Sequence, residues 1–252
     1  MKKDKTRQFV NVAATLLVIV VNALANALPL NGLNTGVISD QFKVYFVPAG
    51  YVFSIWGVIY LGLIAFAVYQ ALPAARANPR LRRLGWWYAL GCLANSAWIF
   101  LWHYEVFPLT LLVMLVLLVS LIASYLRLNV GREKVGAAEK WATHVPFGIY
   151  LGWISVATIA NATDVLDYVG WNGWGLAPEA WAVIMIFAAA LITIAMGLTR
   201  RDVAYTLVIV WAAAGIAIKQ AGTPIVANSA WALTAVAALV ALANAGLRLR
   251  RA

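Results

Sequence analysis

Aromatic and amide side chains recur at helical intervals in three stretches of this chain, and they are the residues whose types and spacing best suit chemistry. Phe53, Trp56 and Tyr60 follow Pro48 at intervals of three and four beyond Phe53; Asn95, Trp98 and Trp102 repeat the interval; Tyr150, Trp153, Ala157 and Asn161 extend it. On a helix, such intervals place side chains along one stripe. Asn22 and Asn26, four apart, make a shorter stripe. The chemistry on offer is recognition: indole and phenol rings stack on a flat apolar ligand, and a few amides fix its orientation. Any one stripe is also what plain helix packing and interhelical amide bonding produce. Several stripes meeting at one depth would instead favour a cavity.

Catalytic groupings are poor, and no catalytic residue and no metal site is expected. The chain has two histidines, and the topology derived below puts His103 at the outer face and His144 at the inner, too far apart to share a metal. No carboxylate is evident inside an apolar segment, which argues against a proton relay. Glu105, Asp164 and Asp167 fall at the outer surface, where solvation is the expected role. Lys219, at the end of an apolar segment beside Gln220 and Gly222, is expected to snorkel to the outer interface. The single cysteine, Cys92, lies in an apolar stretch and reads as a small packed residue.

The elements that must carry these stripes are membrane helices. Of 252 residues, 64% are hydrophobic and 11% charged, against about a quarter charged in soluble domains. Too few polar residues remain to cover a water-facing surface. The fold class is an all-α polytopic membrane protein, since lipid offers backbone groups no partner and no strand alternation is visible. At about 20 apolar residues per crossing, eight spans are expected: 9–28, 50–72, 85–103, 107–128, 143–163, 179–198, 203–220 and 226–247. The basic start MKKDKTR followed by an apolar run reads as a retained first helix.

Charge supports that count. With both termini inside, 17 of the 19 basic residues fall on inner segments, leaving Lys43 and Lys219 outside. This is the bias expected of an integral protein of a bacterial inner (plasma) membrane with cytoplasmic termini. The net charge of +10 therefore reports topology and contact with anionic lipid, not nucleic-acid binding, because the cations sit in short clusters between apolar segments. The first, third and fifth helices then run outward and the second inward. Asn22, Asn26, Phe53, Trp56, Tyr60, Asn95, Trp98, Trp102, Trp153 and Asn161 all fall between mid-bilayer and the outer face. Amides need partners in hydrocarbon, and the simplest solution is that the stripes face one another. The outer loop from Thr163 to Pro178 holds two tryptophans, which read as interfacial belt residues before lid residues.

Three stretches, in order, resemble the TspO/MBR family, the tryptophan-rich sensory proteins whose eukaryotic relatives are called translocator proteins. Pro48-Ala-Gly-Tyr-Val-Phe53 with Trp56 and Tyr60 is similar to the family's Pro-Pro-Gly-Trp-Val-Phe run; Asn95-x-x-Trp98 with Trp102 and YLGWISVATIAN from Tyr150 to Asn161 match two further motifs. Ala49 and Tyr51 replace a proline and a tryptophan of the pattern, and one residue is missing between Phe53 and Trp56. The resemblance implies a five-helix bundle over residues 1–163, with 164–252 adding three helices of unassigned role. It also implies a ligand cavity closed by the loop between the first two helices, with Tyr45, Phe46 and Pro48 in the lid.

The family's ligands imply a porphyrin or haem-type molecule, or a sterol- or isoprenoid-like one, with no cofactor otherwise required. The function expected is a non-enzymatic sensor or ligand-binding protein. A small-molecule transporter and a membrane enzyme using Tyr60 or Tyr150 are the alternatives. The expected partners are the bilayer and a small hydrophobic ligand. Small residues along the last helices would permit close packing within a chain or in a homodimer.

Overall fold

The computed structural model describes residues 2–28 and 30–249; the side chains of Asn26, Arg248 and Leu249, and residues Arg250 and Arg251, lie outside the described residues. Eight helices of 17 residues or more occur among them: α1 (Lys2–Ala27), α2 (Ile55–Ala71), α3 (Trp87–His103), α4 (Phe107–Arg127), α5 (Val145–Tyr168), α6 (Pro178–Arg200), α7 (Val203–Lys219) and α8 (Pro224–Leu249). Each coincides with one expected span. Six apolar segments, those built on α1, α2, α4, α5, α6 and α8, are long enough to cross a membrane by length and composition. The other two, α3 and α7, have 17 residues each, about 25 Å of helical rise against a hydrocarbon core of roughly 30 Å. The all-α membrane class stands, and the count of eight full crossings rests on these two shorter helices.

The first five helices close a ring. α1 packs on α2 and α3, α3 on α4, α4 on α5, and α5 returns to α2. α7 then lies against the outer side of α5, and α8 packs on both α7 and α6. A missing side chain allows the α5–α7 approach: a Cβ on Gly152 would meet Val208 Cβ at 3.0 Å and the Tyr205 carbonyl at 3.1 Å. Lipid supplies no hydrophobic force between helices, so contact of this closeness is what holds them.

Charge separates the two ends of the bundle. At the basic end the Arg80 guanidinium grips Glu139 through Nε and Nη2 at 2.6 and 2.8 Å and also pairs with Glu133, tying the 72–86 connection to the start of α5. Arg82 forks onto Asp4 in the same region. The opposite end, the loop end, carries the 28–54 connection and the two turns after α3 and α5. Between the ends, polar groups pair across the ring as a low-dielectric interior demands. The Thr15 and Tyr88 hydroxyls meet at 2.5 Å, and Gln8 and Gln70 bond each other's backbone carbonyls at 2.6 and 3.0 Å.

Candidate functional site

The aromatic and amide stripes converge in two tiers near the loop end. In the deeper tier, Asn22 donates to Asn95 Oδ1 at 2.8 Å and Asn95 donates to the Tyr150 hydroxyl at 2.9 Å, one chain across α1, α3 and α5. Trp56 stacks on Tyr60, with centroids 5.6 Å apart, and meets the Tyr150 ring edge-on at 6.1 Å. Intervals of four residues put Trp56 and Tyr60 one above the other on α2. Trp56 and Tyr60 are half-buried, Asn22, Asn95 and Tyr150 buried.

The tier above encloses a cavity of about 40 Å³. Pro48, Phe53, Trp98, Trp102, Trp153, Ala157 and Asn161, all expected from the sequence, line it. Trp98 and Trp102 stack with centroids 5.1 Å apart, forming one flat wall. Trp98 Nε1 donates to Asn161 Oδ1 at 3.2 Å, and Asn161 donates to Thr110 at 2.9 Å, so this amide is held from two helices. Trp153 joins the tiers, edge-on to Phe53 at 5.7 Å and to Trp56 at 6.1 Å.

The segment between α1 and α2 closes the cavity. Its short helix Thr35–Ser39 is capped by Asn34, whose side chain accepts from Val37 N. Along α3, Trp102 Nε1 donates to the Thr35 carbonyl at 3.2 Å, and His103 sits between Leu30 O and the Thr35 hydroxyl at 3.1 Å each. Phe42 packs on Phe107 at 4.9 Å. From the other side the last helices hold the segment: Tyr45 donates to Glu179, Gln220 to the Tyr45 carbonyl, Ala49 N to Gly215 O, and Trp211 to the Val52 carbonyl. Gly215 makes this seat, because a Cβ there would collide with Val52 Cγ2. Lys219, expected only to snorkel, pairs with Asp40 of the lid at 2.7 Å.

The TSPO-like protein family model matches residues 8–243. This chain belongs to that family. A search of curated proteins finds no match, and neither does a search of solved structures. The family match runs through α6 and α7 and into α8, beyond the 9–163 stretch in which the motifs are readable, and α6 and α7 are the helices that brace the lid of this TSPO-like bundle.

Three features of the site depart from expectation or escaped it. Asp164 is not solvated: it is 2% exposed, lies within the apolar segment Ala137–Tyr168, and lines the cavity. One further turn of α5 and the overlying lid cover it, which a reading by distance from the helix end does not capture. The apolar segments thus do contain a buried carboxyl, and its Oδ1 has no hydrogen-bond partner. Trp153 Nε1 is likewise buried without a partner, so two of the residues that line the cavity each hold an unpartnered polar atom. Thr35, Ser39 and Val47 also line it; no helical interval could announce them, because they arrive on the lid. His103, expected at a surface, is fully buried. Trp171 and Trp174 cluster with Trp181 at 5.0 and 5.7 Å on the far side of the 169–178 turn and line no part of the cavity. The Asn26 side chain lies outside the described residues.

Proposed function

We propose that this integral membrane protein binds a flat hydrophobic molecule, of the tetrapyrrole or sterol/isoprenoid kind, between the tryptophan walls under the 30–54 lid. The observation that carries this reading is the cavity itself. Stacked rings wall it, the Asn161 amide is fixed by hydrogen bonds on both sides, and two of its lining residues hold buried polar atoms with no internal partner. Buried polar groups are ordinarily satisfied, so Trp153 Nε1 and Asp164 Oδ1 are the points at which a ligand or an ordered water completes the site. Pockets for drug-sized ligands run to about 300–1,000 Å³, far above the closed cavity, so binding requires the lid to lift and the rings to part. Both His103 ring nitrogens face lid groups, which favours holding a macrocycle by its faces over a histidine–iron bond. We read the role as binding rather than catalysis, with the basic end and both termini on the cytoplasmic side as the cation bias requires.

Titration of the purified protein with protoporphyrin, followed by tryptophan quenching and the porphyrin Soret band, tests this. Trp153→Ala and Trp56→Ala should each weaken binding at least tenfold; unchanged curves would remove the cavity from the account.

Asp164 supports a second reading. An ionisable side chain at membrane depth commonly marks a transport path, and a transporter would use this carboxyl to couple movement to protons. Proteoliposome flux that responds to a pH gradient in the wild type and not in Asp164→Asn would favour it; absence of any flux of bound porphyrin would dismiss it.

A further inference from the structure

A second, larger concavity lies elsewhere, at the basic end. A groove of about 1,310 Å³ opens on the bundle surface between α2, α5 and α7. Its walls are apolar: Ile55 and Val58 of α2, Val145 and Ile149 of α5, Leu207 and Trp211 of α7. Val58 and Leu207 are 51% and 53% exposed. Its mouth is cationic, with Arg132, Lys134, Lys140 and Arg201 against Glu133 and Asp202. Both acids are already engaged by other groups of the chain. Glu133 pairs with Arg80, while Asp202 accepts from the Tyr125 hydroxyl at 2.8 Å and caps α7 through Ala204 N at 3.0 Å.

Two features mark the mouth as a ligand site. The chain enters α5 through a π-helical turn, Lys140–His144, a rare irregularity that recurs at functional positions. That turn delivers His144 to the groove lining, 7% exposed and with its Nε2 unpartnered. Trp141, 67% exposed, sits beside the mouth with the Lys140 ammonium 5.9 Å from its ring, the habit of an interfacial anchor. The groove's length is equally specific. From Lys140 to Ile149 is about 14 Å of helical rise, close to the roughly 15 Å of one leaflet's hydrocarbon. Trp211 lines it farthest along α7; its indole donates to the Val52 carbonyl at 3.1 Å and packs edge-on to Tyr51.

We propose that this groove is a binding site for one anionic phospholipid of the leaflet at the basic end. The phosphate sits among Arg132, Lys140 and His144, and an acyl chain lies along Val58, Ile149 and Leu207. The cations set the sign of the headgroup, and Lys134 and Arg201 add to the positive field. A second copy of the chain is a poor occupant, because in a parallel pair it would bring its own cationic end to the same depth.

The test uses full-length protein reconstituted in vesicles of equal parts dioleoyl phosphatidylglycerol and dioleoyl phosphatidylcholine, then extracted in mild detergent, with retained lipid counted by native mass spectrometry. Wild type should keep one phosphatidylglycerol with at least a fivefold preference over phosphatidylcholine, weakening as salt rises. Arg132→Gln/Lys140→Gln should abolish the preference. Leu207→Trp, a change on a lipid-facing position that fills the groove, should cut retention of both lipids while circular dichroism and protoporphyrin titration stay as in wild type. Equal retention of the two lipids by wild type overturns the proposal. So does a preference that survives the charge variant, or one that persists undiminished in Leu207→Trp, which would leave a headgroup contact with no seated chain.

Discussion

Two concavities of this molecule are built on opposite plans. The loop-end cavity is small, about 40 Å³, walled by stacked rings and shut by a segment stapled from two sides. The basic-end groove is some thirty times larger by the same measure, about 1,310 Å³, and already open. Both hold buried polar atoms with no partner, Trp153 Nε1 and Asp164 Oδ1 in one and His144 Nε2 in the other, but only the groove displays a cluster of cations. The difference is one of conformational work. A ligand of the closed cavity must break lid contacts before it gains its own, so its apparent affinity carries the cost of opening. A lipid in the open groove meets no such barrier. α7 belongs to both sites, seating the lid through Gly215 and walling the groove through Leu207 and Trp211.

That contrast can be broken by substitution. The largest effect is expected from Trp153→Ala, which removes the ring joining the two aromatic tiers. A buried Trp→Ala change costs about 3–5 kcal/mol, so thermal unfolding in detergent should fall markedly, while phosphatidylglycerol retention by the folded fraction stays intact. Next comes Gly215→Val. Its side chain would collide with Val52 and Pro48, an overpacking cost of about 1–3 kcal/mol. The lid should loosen, and stopped-flow mixing should register faster porphyrin association. Asp164→Leu should act the opposite way on stability. Removing a buried, unpartnered carboxyl oxygen should raise the unfolding midpoint by the equivalent of about 1 kcal/mol, yet weaken porphyrin binding, the usual trade between stability and a site. The smallest effect concerns pH. The Glu133 carboxyl is held below its ordinary value of 4.5 by the Asn129 amide and the Arg80 guanidinium. Stability from that pairing is present at neutral pH and lost only as pH falls below the ordinary carboxylate range. The Glu133 contribution to the unfolding midpoint should therefore be constant from pH 8 to 6 and decline below about 4.5, and Glu133→Gln should remove that acid-side part of the decline without touching the loop-end cavity.

Much of the architecture was legible in the residues because lipid simplifies the code. Apolar length marks helices and cation bias marks ends. The intervals at Asn95–Trp98–Trp102 and Tyr150–Trp153–Asn161 gave faces that do meet, through the Asn95–Tyr150 and Trp98–Asn161 bonds. What stayed illegible depended on tertiary cover. Asp164 looks like a helix-end acid until the lid lies over it. Thr35 and Ser39 reach the cavity from a connection that has no period. The role of α7 is written in Gly152 and Gly215, whose absent side chains mean something only once the facing residues are known. Arg80 looks like one more topology-setting cation, yet it binds Glu139 with two nitrogens and fixes the turn that opens α5.

Backbone hydrogen exchange read by mass spectrometry, with and without protoporphyrin, distinguishes ligand entry beneath the 30–54 lid from binding elsewhere on the bundle. In the free protein, amides of residues 30–54 should exchange faster than those of α3 and α5. Saturating porphyrin should slow that segment together with the adjoining turns of α3 and α5 by tenfold or more, and leave residues 130–145 unchanged. Protection confined to the 130–145 groove, or none in the lid at saturation, would contradict the account.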